Sequence, residues 1–444
     1  MKFHFRHFLL LVLLVLVAGS FALKAFGGNW SAISSDGWGY YAYLPSIFHY
    51  GDVTSNKQMD ELPEPWQDEA AGRLVFQPNG NYLNQYPIGV ALLETPFYLT
   101  ATVLNNVLFQ GSFDQYSGPF QLMVLIAGIC ATLIGFYFLW KTLIKRFSDK
   151  VTFISLGLIL FATNIIHYST YDVSFSHVFS FALFAYLLYL LDDFTLDKKN
   201  LGYFLRLGLT FGLIITVRQT NVITALLFLP MFYKLYKNYG VGRLIKEYWK
   251  LLMTMFVATF LVFFIQMLYW KINMDSWLVF SYQGSYFDFL HPEFWNVLFS
   301  FRKGLFLWTP ILLITIPGIY LMIRNKDKFR FVLPLVLITQ LYIVSSWWAW
   351  SFGFAFGHRG FTEYLIIFAV PFAYAIKYMF SRRRVLVYAF LLLCGFLIVL
   401  NLNSMQQYWR GILNPDGMTA ESYSQVFMKL CLEAIPGQGC PAVR

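Results

Sequence analysis

Charged residues are scarce in this sequence of 444 residues: they make up 13% of it, against roughly 25% in soluble domains. Because 58% of the residues are hydrophobic, polar side chains could not cover the surface in water. The mean hydropathy of +0.56 indicates the same. The scarcity of charge therefore excludes an ordinary soluble enzyme and predicts a chain whose solvent is largely lipid.

Cysteine is also rare, with four residues in the chain. Cys130 and Cys394 lie inside apolar runs and are predicted to be inert packing residues. Cys431 and Cys440, near the C-terminus, are spaced to allow a small disulfide loop if the tail faces an oxidising compartment. No spacing typical of a zinc site occurs. The sequence also has no visible internal repeat.

Long hydrophobic runs are what the chain has in abundance. The first, 8–26, follows Lys2 and Arg6 and begins like a signal peptide, but Lys24 interrupts any small-residue cleavage site. We therefore predict an uncleaved first helix with a cytoplasmic N-terminus. Further spans of roughly 17–23 residues are predicted at residues 119–140, 151–169, 174–191, 201–217, 219–233, 251–270, 304–323, 331–347, 361–380 and 385–401. The fold class is thus all-α, a polytopic membrane protein of about eleven transmembrane helices.

One further apolar segment, 87–108, carries Glu94, Pro96, Asn105 and Asn106, and the charge distribution decides its placement. If it lies at the outer surface, 22 of the 33 basic residues but 6 of the 23 acidic ones fall on the inner side. Cytoplasmic loops carry such an excess of lysine and arginine. The positive-inside rule therefore predicts a surface helix, and it explains the net charge of +10 better than nucleic-acid binding does.

This topology leaves three sizeable segments on the extracytoplasmic side. They are residues 27–118, residues 271–303 and a tail from 402 onward. We predict one transmembrane domain over 1–401 and an extracytoplasmic tail over 402–444. The inner loops are short and basic, so they are typical of topology anchors rather than of reaction sites.

A carboxylate follows the first helix, in the sequence Ser34-Ser35-Asp36-Gly37-Trp38-Gly39-Tyr40-Tyr41. Two glycines let the chain fold back, and the aromatic rings can form an apolar wall that tunes the pKa of Asp36. Asp36 could equally cap the helix that begins near Tyr40. Spacing alone leaves both interpretations open.

A second acid, Asp172, lies in the short outer turn before the fourth span, and His177 follows five residues later. Ionisable groups at membrane depth are costly and usually face a polar cavity. Such a pair could orient a base or bind phosphate. A satisfied interfacial histidine is the commoner alternative for a lone His177.

Four basic residues lie in outer loops, against the positive-inside rule: Arg218, Arg302, Lys303 and Arg359. A single one could snorkel to outer headgroups. Four such residues in three separate outer loops favour a function such as binding a phosphate through charge-assisted hydrogen bonds.

These elements together resemble the GT-C superfamily of membrane glycosyltransferases, especially protein O-mannosyltransferases and the lipid A aminoarabinose transferase. Asp36 stands where that family has an acid after the first helix, with Gly37 in place of a frequent second acid. Further matches are Gly51-Asp52, Asn79-Gly80-Asn81-Tyr82 before Gln85-Tyr86-Pro87, Arg302-Lys303-Gly304-Leu305-Phe306 and Phe356-Gly357-His358-Arg359. The family's lysine before the surface helix is missing.

The resemblance implies the GT-C fold, with extracytoplasmic juxtamembrane helices, and inverting transfer of a hexosyl or pentosyl group from a polyprenyl-phosphate donor. Asp36 would be the general base, and Asp172 would orient the acceptor or ligate a divalent cation. Relatives differ on metal use, and Gly37 argues mildly against it. The phosphate would be bound by residues from several loops, in this order of preference: Arg302, Lys303, His358, Arg359 and Arg218. The expected substrate contacts are Tyr40, Tyr41, Asn79, Tyr82, Tyr86 and His177.

The expected partners are the lipid-linked sugar donor, a lipid, glycan or protein acceptor, and membrane lipids, without nucleic acid. The resemblance suggests a bacterial inner membrane. A transporter of lipid-linked saccharides is the alternative from another class, but transporters usually show inverted repeats or broken midplane helices. A non-catalytic envelope scaffold is a third. Substitution of Asp36 separates an enzyme from a scaffold.

Overall fold

The computed structural model describes residues 5–26, 31–197 and 200–429. Cys431 and Cys440 lie outside these residues, as do Lys2, Lys198 and Lys199. The described chain is predominantly helical, which confirms the all-α prediction. The helices are α1 Phe5–Phe26, α2 Asp36–Tyr41, α3 Tyr43–Phe48, α4 Asn56–Glu61, α5 Glu64–Ala70, α6 Gly89–Leu108, α7 Pro119–Leu143, α8 Asp149–Phe161, α9 Ile165–Thr170, α10 Ser176–Asp192, α11 Leu201–Val217, α12 Leu229–Met274, α13 Phe294–Phe299, α14 Leu305–Trp308, α15 Thr315–Arg324, α16 Val332–Ser346, α17 Leu365–Phe380, α18 Arg384–Trp409 and α19 Ala420–Val426.

Three 3₁₀ helices and one small hairpin complete the regular structure of the described residues. The 3₁₀ helices are Gln219–Phe228, Pro310–Ile314 and Arg359–Phe361. The strands β1 Leu74–Phe76 and β2 Tyr82–Asn84 pair antiparallel, with Val75 opposite Leu83.

The protein is an integral membrane protein. Four described helical runs are long and apolar enough to cross a bilayer: Phe5–Ala22, Pro119–Leu143, Gln219–Met274 and Arg384–Trp409. Several shorter apolar helices accompany them. Large aliphatic side chains on these helices are exposed, such as Leu392 at 76% on α18. Such a surface is compatible with lipid and not with water.

One pair of predicted spans is separated as expected, and another span is interrupted. Spans 219–233 and 251–270 lie on either side of Gly240, whose φ of +64° and ψ of +173° are not helical and break the run Gln219–Met274 into two helices. The basic residues on both sides of Gly240 are helical because lysine and arginine are good helix formers. Span 151–169 is interrupted between α8 and α9, and there Asn401 Nδ2 donates to the carbonyls of Phe161 and Thr163 at 3.0 and 2.8 Å. That side chain satisfies carbonyls that the broken helix leaves without partners.

The chain divides into two compact units. Unit 1 comprises Met1–Trp30, Phe136–Tyr171 and Tyr286–Arg444, and unit 2 comprises Ser31–Gly135 and Asp172–Ser285. In unit 1, Arg146 Nε donates to Asp327 Oδ2 at 2.9 Å, and Tyr374 Oη donates to the same oxygen at 3.1 Å. The side chains of Arg146 and Asp327 are both largely buried. Removing either one would leave the other as an unpaired buried charge, which is strongly destabilising.

In unit 2, the segment between α1 and α7 folds into α2–α6 and the hairpin. The predicted surface helix 87–108 is α6, which buries Val90, Glu94 and Tyr98 and exposes Val103 and Val107 at 59% and 71%. An apolar exposed face of this kind suits a helix lying on a membrane. Its placement there stays a prediction.

Candidate active site

Asp36 is the first residue of α2 and is half-buried. The phenol of Tyr86 donates to its Oδ1 at 2.9 Å. Burial, together with the negative charge of Asp36, raises the pKa of Tyr86 well above its usual value. The phenol therefore stays protonated at neutral pH and keeps its hydrogen to donate. The Tyr86 phenol therefore holds the Oδ1 atom of Asp36 in place by a hydrogen bond.

The chain enters α2 through a strained residue. Ser35 has φ +52° and ψ −134°, a region that a residue with a Cβ rarely adopts. Its N–H donates to Glu69 Oε2 at 2.9 Å, and Glu69 also pairs with Arg73 at 3.3 Å. Strain of this kind costs on the order of 1–3 kcal/mol and often accompanies functional sites. Here the unusual conformation of Ser35 sets the direction of the chain as it enters α2 at Asp36.

The two glycines of α2 permit close packing with neighbouring segments. A Cβ on Gly37 would overlap the hydroxyl of Ser174, and one on Gly39 would overlap the ring of Tyr86. Asn84 Nδ2 donates to the carbonyl of Gly39 at 2.7 Å. The strand β2 and the turn after Asp172 therefore both lie directly against α2.

Tyrosine rings surround the first turn of α2. The ring centroids of Tyr40 and Tyr86 are 4.8 Å apart, and Tyr282 follows at 5.8 Å from Tyr86. Tyr43 Oη donates to the carbonyl of Tyr86 at 2.6 Å, which holds that residue in place. The rings form an aromatic wall beside the carboxylate.

The second predicted acid lies in the segment that packs on α2. Tyr40 Oη donates to Ser176 Oγ at 3.1 Å, and Ser174 Oγ donates to the carbonyl of Ala32 at 2.7 Å. Asp172 and His177, which flank these serines, are 6% and 3% exposed. The fold thus brings the Asp172–His177 segment, predicted from sequence, beside the helix that carries Asp36.

Arg218 is the predicted phosphate ligand that belongs to the same unit as Asp36. It has an extended backbone between α11 and the following 3₁₀ helix, and its side chain is half-buried. The backbone of Gly89, three residues after Tyr86, lies against Thr216 and Val217. The loop that carries Arg218 is therefore packed close to the start of α6, three residues after Tyr86.

The remaining predicted substrate contacts of unit 2 hold main-chain segments. Asn79 Nδ2 donates to the carbonyl of Asn273 at 2.6 Å, and Tyr41 Oη donates to the carbonyl of Gln115 at 2.7 Å. The Tyr82 ring packs on Phe76 at 5.1 Å. These contacts position the hairpin and the loop after α6.

The other predicted phosphate ligands belong to unit 1. Lys303 is fully buried, and its Nζ donates to the carbonyls of Ala355 and Pro415. Arg302 makes a bidentate pair with Asp416, with Nε–Oδ1 at 3.2 Å and Nη2–Oδ2 at 3.0 Å.

His358 and Arg359 lie in the same unit, at the end of the loop between α16 and the 3₁₀ helix Arg359–Phe361. His358 is buried, and its ring lies 5.8 Å from that of Phe352 and 5.2 Å from that of Phe361. Arg359 is half-buried over the Phe352 ring, at 5.6 Å.

Among residues 5–26, 31–197 and 200–429, no three His, Cys, Asp or Glu side chains converge in a way that could hold a metal ion. Sequence reasoning missed Glu69 and Tyr282, and it gave no role to Ser174 within the Asp172–His177 segment. The relation of these residues to α2 exists only after the chain has folded.

Comparison with known proteins identifies the architecture. The apo oligosaccharyltransferase of Archaeoglobus fulgidus aligns with a TM-score of 0.53 and 11% identity, over 94% of this chain and 57% of that one. The chain has the GT-C fold.

Two further solved structures align at a TM-score of 0.49. The first is the AglB oligosaccharyltransferase of Archaeoglobus fulgidus in complex with an inhibitory peptide and a dolichol-phosphate, at 11% identity over 94% of this chain and 57% of that one. The second is ArnT from Cupriavidus metallidurans bound to undecaprenyl phosphate, at 14% identity over 91% and 68%. The chain spans little more than half the length, 57%, of the oligosaccharyltransferase chains. No family model and no curated protein sequence matches the chain.

Proposed function

We propose that this protein is a membrane glycosyltransferase that moves a sugar from a polyprenyl-phosphate donor to an acceptor on the extracytoplasmic face. The observation that carries the proposal is the Asp36 carboxylate, half-buried on a short helix and hydrogen-bonded through Oδ1 by Tyr86. The GT-C fold supports it, because the oligosaccharyltransferase with that fold is named for glycosyl transfer.

Asp36 acts as the general base in the proposed reaction. The acceptor hydroxyl or amine gives its proton to the carboxylate as its lone pair attacks the anomeric carbon. The bond between that carbon and the phosphate oxygen breaks, and its electron pair leaves with the lipid phosphate. Attack opposite the leaving group inverts the anomeric configuration.

The surrounding residues bind and orient the reactants. Tyr40 and Tyr86 offer ring faces to the sugar, and the buried Asp172 and His177 orient the acceptor. Arg218 stabilises the charge that develops on the leaving phosphate. Arg302, Lys303, His358 and Arg359 stay predictions for that role, to be tested one at a time.

The decisive test replaces Asp36 with asparagine. Purified protein is incubated with a panel of radiolabelled polyprenyl-phosphate sugars and an extract of envelope lipids, glycans and proteins that supplies acceptors, and the loss of label from the lipid is measured. Asp36→Asn should lower transfer at least about 100-fold, in the range that general bases contribute. Its thermal unfolding midpoint should stay unchanged. Asp60→Asn is the matched control, because Asp60 is an exposed acid of the same unit.

Two results would contradict the proposal. Transfer that survives in Asp36→Asn at the rate of Asp60→Asn would remove Asp36 from the chemistry. Label that stays on every donor with the unmodified protein would favour a transporter or a scaffold.

Sidedness is tested within unit 2. Cysteines are placed at the exposed positions Asp60 and Lys246, in a variant whose four native cysteines are serine. A membrane-impermeant maleimide should label position 60 in intact cells and position 246 only after permeabilisation. Labelling of both from outside would overturn the proposed topology.

A further inference from the structure

Unit 2 contains a cavity apart from the Asp36 carboxylate. It has a volume of about 540 Å³ and lies where the end of α3, the end of α6 and the loop before α7 meet. Its size falls in the range of roughly 300–1,000 Å³ that is typical of ligand sites. Neither Asp36 nor Tyr86 lines it.

The lining combines aromatic rings with hydrogen-bonding groups. Phe48 and Tyr50 present accessible rings, while Glu61 and Asn106 present an exposed carboxylate and amide. A pyranose ring has apolar C–H faces that pack on aromatic rings and equatorial hydroxyls that need donors and acceptors. Carboxylates accept particularly strong hydrogen bonds from such hydroxyls.

The charge of the cavity selects against anions. Its lining includes the acids Glu61 and Asp114 and no lysine or arginine. Burial and these two acids raise the pKa of Tyr50, so its phenol remains a donor. A phosphate or a lipid-linked pyrophosphate would meet two carboxylates, with His49 as the one basic side chain in the lining. The ligand class that fits is an uncharged saccharide.

The walls are held in place before any ligand arrives. Asn105 donates to the carbonyl of Phe113 at 2.9 Å and accepts its N–H at 3.3 Å. Tyr98 Oη donates to Gln115 Oε1 at 2.7 Å, and Gln58 Nε2 donates to Tyr116 Oη. A preorganised wall lowers the cost of ordering on binding.

One wall of the cavity is shared with the helix of Asp36. The ring of Trp38, two residues after Asp36, stacks on Tyr116 with centroids 5.4 Å apart and planes within 9°. We infer that this cavity is a binding subsite for an uncharged saccharide segment of the acceptor, separate from the Asp36 carboxylate. The acceptor part of this inference rests on the proposed function.

The test measures binding rather than transfer, so that it can fail independently of the proposed reaction. Fluorescently labelled neutral oligosaccharides of glucose, mannose and galactose are titrated to millimolar concentration against the full-length protein in nanodiscs. Phosphorylated forms of the same oligosaccharides are the charged counterparts. At least one neutral probe should bind more tightly than its phosphorylated form.

Three variants decide whether the binding belongs to the cavity. Ser112→Trp, at an exposed lining position, should fill the cavity and weaken binding about tenfold or more. Tyr50→Ala should weaken it about fivefold, and Asp36→Asn should leave it unchanged. Thermal unfolding midpoints verify that each variant is folded, and Glu61→Gln provides a second, isosteric substitution that should weaken binding.

The inference is overturned if no neutral probe binds, if the phosphorylated probe binds better, or if Ser112→Trp and Tyr50→Ala bind as the unmodified protein does. If binding is retained in Asp36→Asn while no donor loses label to any acceptor, the cavity stands and the proposed transfer does not.

Discussion

Asp36 in unit 2 and Lys303 in unit 1 are both charged side chains held out of bulk water, but their surroundings differ. Asp36 is half-buried and receives a phenol hydrogen bond at one oxygen. Lys303 is fully buried, and its ammonium donates to two main-chain carbonyls. The contrast suggests that the lysine braces its loops, whereas the carboxylate is placed to meet a substrate.

Substitution of Lys303 should have the largest effect, and it tests whether this buried lysine has a structural role. Lys303→Met removes the donor of two buried carbonyls, and each such loss costs about 1–3 kcal/mol. We expect the free energy of unfolding to fall by about 3 kcal/mol, measured by denaturation in detergent. Arg302→Met, which breaks a partly exposed ion pair with Asp416, should cost about 1 kcal/mol or less.

The opposite outcome at Lys303 would be equally informative. Unchanged stability combined with weaker donor binding would make this ammonium a phosphate ligand, as the sequence predicted. The brace interpretation would then be wrong.

Backbone packing at Gly37 should affect transfer strongly. The Cβ of Gly37→Ala overlaps the Ser174 hydroxyl, so α2 must move away from the Asp172–His177 segment. A displacement of about 1 Å at a catalytic group can cost about 100-fold in rate. Adding Ser174→Gly should restore most of the lost transfer, measured with the radiolabelled donor. A double variant as slow as the single one would argue against this packing.

Substitution of Tyr86 tests whether its hydrogen bond to Asp36 contributes to the proposed reaction. Tyr86→Phe removes the donor to Oδ1 while keeping the ring, and a hydrogen bond to a charged group is worth about 1.5–3 kcal/mol. We expect kcat to fall at least about tenfold with KM for the donor unchanged. Tyr236→Phe, on an exposed surface of α12, is the control. A change in KM alone would make Tyr86 a binding residue instead.

Glu94 is a buried carboxyl without the hydrogen-bond partners that the Lys303 ammonium has. It is 1% exposed, and within the described chain neither carboxylate oxygen has a hydrogen-bond partner. Burial raises its pKa well above 4.5. The folded state therefore disfavours the ionised form, and stability is lost as the pH rises from 4.5 through the raised pKa.

Glu94→Gln should consequently stabilise the protein at neutral pH, because an uncharged amide removes the cost of ionising a buried carboxyl. It should also reduce the fall in thermal midpoint between pH 5 and pH 8. Glu64→Gln, at an exposed position, should change neither. Equal pH dependence of Glu94→Gln and the unmodified protein would show that the carboxyl is not the cause.

Composition and hydrophobic length alone determined that this is an all-α membrane protein. Apolar runs of bilayer length have few alternatives, because an unpaired backbone in lipid is costly. The same reasoning located most helices and separated 219–233 from 251–270, between which the helix is broken at Gly240.

The motifs around Asp36 and Asp172 were visible in the sequence as candidates, although local chemistry also allowed Asp36 to be a helix cap and His177 a satisfied interfacial histidine. Only the tertiary structure decided that Ser174 lies on Gly37, that Tyr86 donates to Asp36, and that Lys303 faces carbonyls. Each of these contacts joins residues far apart in the chain. Hydrogen-bond partners at such separations depend on packing geometry, which residue type and spacing do not encode locally.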